Sequence, residues 1–164
     1  MLTEPKIITK PAQPYAAIIL ELTQPEIAET APPLTDDVIR WVKAKGGKMS
    51  GPPFFNYVAF APGGRMTMQV GMPTTTVLPR DEQVSTGTLP GGRYASLTHT
   101  GPYHELHEAN MKLGTWVKAQ GLTLDGTLVG DCYIGTNRIE IYRKDPGEDP
   151  SGDPVTEVAF RLAD

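Results

Sequence analysis

Apolar and polar residues in the first half of this chain follow the periods of strands and helices in turn. Residues 15–22 are apolar on both faces of an extended chain, which predicts a central strand. Residues 35–46 carry an apolar stripe with helical spacing, with Thr35 as the expected helix cap and a glycine at the end, which predicts a helix. Residues 54–60 and 65–72 are β-prone and predict two strands. The first half therefore predicts the order strand, helix, strand, strand.

The second half has the same order of patterns. Residues 92–100 predict a strand, and residues 103–120 predict a longer helix with one apolar side. Two β-prone segments lie within 132–142, and residues 155–162 predict a final strand. Residues 145–154 are rich in Asp, Pro and Gly, which predicts a loop.

The two predicted helices end in nearly the same sequence. Segments 41–46 and 116–121 agree at five of six positions, and each is followed by another glycine five residues on. These segments are 75 positions apart (116 − 41). Two unrelated helices that agree by chance are the alternative, which the matched glycines disfavour. We expect an internal duplication, with copies at about 14–73 and 90–164.

Two such units join most simply into one curved antiparallel sheet with both helices on one face. This is an α+β fold, and a chain of 164 residues suits a single domain, 1–164. The offset between the copies grows from 75 at the tryptophans to 90 between Met68 and Val158 (158 − 68). We expect the extra positions in the stretch that contains Glu140 and Tyr142 and in the loop beyond them.

Charge and cysteine content narrow the classes of partner. The net charge is −4 and the isoelectric point is about 5.4, which argues against nucleic acid or an anionic membrane as partner. Cys132 is the single cysteine, which fits a reducing compartment. The first residues lack the apolar core of a signal peptide. We therefore expect a cytoplasmic protein.

Strand alternation identifies a group of candidate site residues. If Ile139 and Ile141 lie under the helices, then Glu140 and Tyr142 share the opposite face, and Glu157 on the last strand joins them there. Two carboxylates and a tyrosine on one face would suit a bound cation or a substrate that needs proton transfer. The alternative is that both acids are solvated surface residues.

Five segments in order resemble the GyrI-like small-molecule-binding domain, a family that includes the effector-binding domains of AraC- and MerR-type multidrug regulators. These segments are GPPFF at 51–55, LPGGRY at 89–94, TGPYHEL at 100–106, IEIYRKDP at 139–146 and TEV at 156–158. The resemblance covers nearly the whole chain. It implies a duplicated strand-helix-strand-strand architecture with an amphipathic ligand groove where the two copies meet.

The resemblance also implies roles for individual residues. The pocket glutamate of the family falls on Glu140 and its second acid on Glu157, while Ala159 stands where members often have an aromatic residue and is expected to open the pocket. The expected ligand-binding residues are Glu140, Tyr142, Glu157, Tyr133, Trp116, Phe55 and Tyr57.

The resemblance leaves three functions open. The first is a stand-alone binder of lipophilic, cationic or aromatic molecules, with Glu140 as counter-charge. The second is a hydrolase of cyclopropane-bearing toxins or similar electrophiles, in which Glu140 and Tyr142 would be catalytic. The third is a gyrase-inhibitor-like protein that binds a protein partner.

We expect no cofactor and no metal, since His104 and His107 are three residues apart and a zinc protease motif needs four. We also expect no direct nucleic-acid partner, because about fourteen residues precede the first strand, too few for a helix-turn-helix.

Overall fold

The computed structural model describes residues 1–144 and 153–163. The strands are β1 (Lys6–Lys10), β2 (Gln13–Thr23), β3 (Phe54–Phe60), β4 (Arg65–Pro73), β5 (Ser85–Leu89), β6 (Gly92–Thr100), β7 (Gly126–Val129), β8 (Cys132–Gly135), β9 (Arg138–Lys144) and β10 (Val155–Arg161). The helices are α1 (Ile27–Thr30), α2 (Pro32–Ala44) and α3 (Leu106–Ala119). Short 3-10 turns occupy Gln24–Glu26, Pro62–Gly64 and Tyr103–Glu105.

The described strands form one antiparallel sheet. Its main order is β1-β6-β10-β9-β3-β4-β2-β5, and the hairpin of β7 and β8 joins it through β3. The predicted α+β fold with a curved antiparallel sheet is confirmed. The two halves of the chain meet where β3 pairs with β9, with Phe55 opposite Glu140. We call this pairing the seam.

The two longer helices pack on the same face of the sheet, on either side of the seam. Val38, Trp41 and Val42 of α2 form one apolar cluster with residues of β2 and β4. Leu113 and Val117 of α3 form another with residues of β6 and β10. We call this side of the sheet the helix face. At the seam, Tyr142 of β9 packs against the α3 cluster, and Phe55 of β3 belongs to a third cluster with Ala31. An open space remains over the seam between the two helices.

The structure extends the first predicted helix and adds a hairpin. Helix α2 begins at Pro32, and no side chain caps its first turn, so Thr35 lies inside the helix and the prediction that it is the cap was wrong. Proline suits a first turn because it lacks an N–H that would stay unpaired there. The hairpin of β7 and β8 lies between Gly126 and β9, where the first half has only a short connection. The hairpin adds length before β9, outside the stretch with Glu140 and Tyr142 where the extra positions were expected. The predicted loop at 145–154 lies mostly outside the described residues.

The segment before α2 packs against the sheet through the partly buried side chain of Ile27. Thr23 and Glu26 bond to each other at the start of the turn, where the Thr23 hydroxyl and backbone N–H both donate to Oε1 of Glu26. Neither this turn nor α1 contains a buried residue. Helix α3, in contrast, buries four. None of the helices in the described part of the chain has the length and apolar character needed to cross a membrane.

Candidate ligand-binding groove

The uncovered seam forms the floor of a groove of about 1040 Å³ between α3 on one side and α1 and α2 on the other. Strands β3 and β9 supply the floor, and the helices supply the walls. The lining of α3 recurs every three or four residues, which is the spacing of one helix face. The lining residues used below are Phe55, Tyr57, Phe60, Tyr103, Asn110, Gly114, Lys118, Arg138, Glu140 and Tyr142.

Glu140 lies at the centre of this floor and is only 5% exposed. The hydroxyls of Tyr57 and Tyr142 both donate to its Oε1, at 3.0 and 2.7 Å. The amide Nδ2 of Asn110 donates to its Oε2 at 2.8 Å. The same Nδ2 also donates to the carbonyl oxygen of Leu106 at 2.8 Å, which fixes the Asn110 side chain on α3. Within residues 1–144 and 153–163, each hydrogen-bond partner of Glu140 is a neutral donor, so the carboxylate is hydrogen-bonded but no ion pair compensates its charge.

The surroundings change the acidity of these groups. Burial raises the pKa of Glu140, although the hydrogen bonds from Tyr142, Asn110 and Tyr57 act in the opposite direction. Burial, together with the nearby charge of Glu140, also raises the pKa of both tyrosines well above the ordinary value. The tyrosines therefore stay protonated and remain donors to the glutamate.

Aromatic rings enclose Tyr142 on two sides. Its ring makes an edge contact with Phe55 at a centroid distance of 4.9 Å and another with Tyr103 at 5.7 Å. These contacts hold the Tyr142 hydroxyl toward Glu140 and build an apolar wall beside the carboxylate. Phe55, Tyr57 and Tyr142 were predicted to line the ligand site, and the structure brings them together around Glu140.

The predicted face of Glu140 was wrong. In the antiparallel pair of β9 and β10, Glu140 lies opposite Val158, which packs in the cluster under α3. Glu140 and Tyr142 therefore lie on the helix face, and Ile139 and Ile141 lie on the other. The prediction assumed that Ile139 and Ile141 lie beneath the helices, but the two helices lie apart from each other at the seam. The helix face is uncovered there and takes the polar residues.

Glu157 consequently does not share a face with Glu140. It pairs with Lys10 at 2.8 Å and Arg143 at 2.6 Å, and the Ser96 hydroxyl donates to it at 3.2 Å. Burial alone would raise the pKa of Glu157, but hydrogen bonds and charges from Lys10 and Arg143 outweigh it and lower the pKa. This carboxylate is compensated inside the protein.

Three further predicted positions lie away from the groove. Ala159 is buried in the cluster of the opposite face with Phe54 and Tyr94, so the expectation that it opens the pocket was wrong. Tyr133 lies on β8 of the added hairpin, and Trp116 packs partly buried against the α3 cluster. Neither Tyr133 nor Trp116 lines the groove.

Sequence reasoning missed Asn110, Tyr103, Phe60 and Arg138. Phe60 was hidden by an irregularity in β3. Strict alternation from Tyr57 would send Phe60 to the opposite face, but the register shifts between Tyr57 and Ala59. Phe60 then pairs with Met66, which lines the groove as well. A bulge of one residue thus adds a third aromatic ring of β3 to the floor.

The comparison with protein families identifies the domain. The model of the GyrI-like small molecule binding domain matches residues 3–163. The chain belongs to this family. No curated protein matches it in sequence. As a GyrI-like domain, it is a member of a family described by small-molecule binding, and the groove is a cavity large enough to hold a small molecule.

Solved structures share the GyrI-like fold at low sequence identity. The C-terminal domain of EcmrR is 16% identical, with a TM-score of 0.75 over 98% of this chain and 97% of that one. The EcmrR chain in the EcmrR–DNA complex is 17% identical, with a TM-score of 0.74 over 97% of this chain. The present chain spans only 57% of the length of that EcmrR chain. SAV2435 bound to tetraphenylphosphonium is 12% identical, with a TM-score of 0.63 over 98% and 94%. A hydrolase from Listeria innocua is 13% identical, with a TM-score of 0.56 over 98% and 92%.

Proposed function

We propose that this GyrI-like domain binds lipophilic, aromatic cations in the groove, with Glu140 as the counter-charge. The observation that carries the proposal is a buried carboxylate whose hydrogen-bond partners are all neutral. Such a group is unfavourable in its ionised form until a positive charge approaches. A ligand cation in the groove would supply that charge.

The shape and lining of the groove support the same class of ligand. A volume of about 1040 Å³ suits a drug-sized molecule. Phe55, Tyr103 and Tyr142 provide ring faces and edges beside the carboxylate, and aromatic faces attract organic cations. SAV2435, which has the same fold, binds tetraphenylphosphonium, a cation that is aromatic and lipophilic.

Isothermal titration with tetraphenylphosphonium tests this proposal. We expect Glu140→Gln to weaken binding by about 1–3 kcal/mol at pH 8, because the amide keeps the shape of the side chain but loses the charge. Glu157→Gln is the matched control, since it removes an equally buried carboxylate from the opposite face and should leave the affinity unchanged. Equal affinity of the wild type and Glu140→Gln would rule out the counter-charge role.

Hydrolysis is a second candidate function, favoured by the environment of Glu140. A carboxyl group whose pKa is raised by burial is better matched to general acid–base work near neutral pH. Tyr57 and Tyr142 place two hydroxyls on the same carboxylate oxygen, where they could orient an electrophile. A hydrolase from Listeria innocua has the same fold. In this case Glu140→Gln would abolish turnover of a cyclopropane electrophile while a neutral aromatic ligand still bound.

A further inference from the structure

Arg138 places a positive charge in the same groove, two positions from Glu140 on β9. Its guanidinium lies over the ring of Phe160 at 4.3 Å from the centroid and over the ring of Phe60 at 5.1 Å. A contact of this kind is a cation–π interaction and forms no hydrogen bond with the N–H donors. The five donors of a guanidinium point outward in its plane.

These donors have no hydrogen-bond partner among the residues that the structure describes. Among residues 1–144 and 153–163, the Arg138 side chain makes no hydrogen bond and no ion pair. None of its nitrogens is among the fully buried atoms without a partner, so the guanidinium reaches solvent through the groove. Burial nevertheless lowers the pKa of Arg138, with a smaller opposing effect from Tyr133. A half-buried cation with free donors is a ready partner for an anion.

Lys118 belongs to the same end of the groove. Along α3, Tyr103 precedes the helix and contacts Tyr142, and Asn110 contacts Glu140. Strand β9 therefore runs in the opposite direction to α3. Continuing along α3 from Asn110 to Lys118 leads toward the Arg138 end of β9. The exposed ammonium of Lys118 and the guanidinium of Arg138 thus form a basic end.

The groove therefore has opposite charges at two points along its floor. Side chains two residues apart on a strand are separated by about 7 Å, which sets the spacing of Glu140 and Arg138. Asp36 also lines the groove from the α2 side, but within the described residues it pairs with neither cation. A ligand with one positive group would use Glu140 and leave the basic end unpaired.

We propose that the groove prefers zwitterionic aromatic ligands, and that Arg138 and Lys118 bind the anionic group of the ligand. This rests on the proposed function, because the cationic group must bind beside Glu140. The ligand class is an aromatic body with a carboxylate, sulfonate or phosphate about 7 Å or more from its positive charge. Arg138 determines specificity between such ligands and simple cations.

A pair of dyes that differ only in one charge tests the preference. Rhodamine B carries a carboxylate beside its cationic ring system, and its ethyl ester lacks that negative charge. In fluorescence anisotropy titrations, we expect the wild type to bind the acid about tenfold more tightly than the ester. Arg138→Met should reduce this ratio to below about twofold through weaker binding of the acid. Lys118→Met should reduce it by a smaller factor.

Controls separate this proposal from the proposed function. Arg93→Met removes the same charge from an exposed position on β6 and should leave the ratio unchanged. Lys118→Met keeps the test valid if Arg138→Met fails to fold, since Lys118 is exposed. Equal binding of the two dyes by the wild type, or equal weakening of both by Arg138→Met, would overturn the proposed preference for zwitterionic ligands. Either result would leave the proposed binding of cations at Glu140 intact. Failure of both dyes to bind the wild type would overturn both proposals.

Discussion

Two glutamates on opposite faces of one sheet are buried to nearly the same degree but have opposite electrostatic surroundings. Glu140 is 5% exposed and Glu157 is 8% exposed. Glu140 accepts hydrogen bonds from Tyr57, Tyr142 and Asn110, and its pKa is raised. Glu157 is paired with two cations, and its pKa is lowered.

This difference shows why burial alone does not identify a binding residue. Glu157 has its counter-charges within the chain, so its ionised form is stable without a ligand. Glu140 has hydrogen bonds without a counter-charge, and its ionised form gains most from a cation that comes from outside. The groove beside Glu140 gives such a cation access. Under the proposed function, the two faces divide structural and ligand-binding roles between similar residues.

The largest effect is expected when Glu157 is made to resemble Glu140. The double variant Lys10→Met, Arg143→Met removes both cations and leaves a buried carboxylate uncompensated. We expect the free energy of unfolding at pH 7 to fall by about 3 kcal/mol, as measured by urea denaturation. Affinity for tetraphenylphosphonium should not change, because the groove lies on the other face. A loss of affinity at unchanged stability would contradict the division of roles.

A pair of glycines tests how differently the two faces are packed. A methyl group at Gly71 would lie 2.5 Å from Cζ of Phe54 and 3.0 Å from the carbonyl oxygen of Ala16. We expect Gly71→Ala to lower the free energy of unfolding by about 2 kcal/mol through overpacking. A methyl group at Gly114, in the α3 wall, would meet nothing within 4 Å.

Gly114→Ala should therefore raise the unfolding free energy by up to about 1 kcal/mol, since alanine favours a helix over glycine. Thermal denaturation of both variants measures the contrast. Destabilisation of the same size at Gly71 and Gly114 would mean that the groove wall is packed as tightly as the opposite face.

The pH dependence of stability gives a smaller effect with opposite signs on the two faces. Glu140 has a raised pKa in the folded state, so its contribution is fully present below the pKa of the unfolded chain and is lost as pH rises through the folded value. Glu157 has a lowered pKa, so its contribution is present above the unfolded value and is lost as pH falls through the folded value.

Urea unfolding of the wild type and of Glu140→Gln and Glu157→Gln at several pH values measures both contributions. The unfolding free energy of the wild type minus that of Glu140→Gln should decrease with rising pH. The corresponding difference between the wild type and Glu157→Gln should increase with rising pH. Subtraction of the variant's value from the wild-type value removes the contributions of groups that the two proteins share. If both differences changed with pH in the same direction, the opposite pKa shifts of Glu140 and Glu157 would be contradicted.

The sequence was sufficient for most of the elements. Strands at 54–60 and 92–100 were predicted with their observed bounds, because prolines and glycines separate β-prone segments there. Strand alternation and the family resemblance both singled out Glu140 as a candidate site residue. Its face could not be read from alternation, because Ile139 and Glu140 are both buried, at 3% and 5% exposure. A strand buried on both faces carries no periodic signal that says where the helices lie.

The rest of the site depends on contacts between distant parts of the chain. Asn110 reaches Glu140 only because α3 packs beside the seam, and no local pattern distinguishes it from other polar helix residues. In the sequence, Arg138 resembles an ordinary exposed strand residue. Only the fold brings its guanidinium over the rings of Phe60 and Phe160. Phe60 reaches the groove only because the register of β3 shifts between Tyr57 and Ala59, and the alternation of residues in β3 does not predict this shift.

The two walls of the groove also differ in how easily they move. Helix α3 buries four residues against the sheet, whereas the 3-10 turn and α1 on the other side bury none. Local opening of a segment costs less free energy when fewer of its contacts must be broken. Fewer buried contacts would have to break for the wall at 24–30 to move than for α3, since Ile27 is its one residue in contact with a core cluster. Under the proposed function, ligands of different size would meet the same carboxylate while the width of the groove adapted to each.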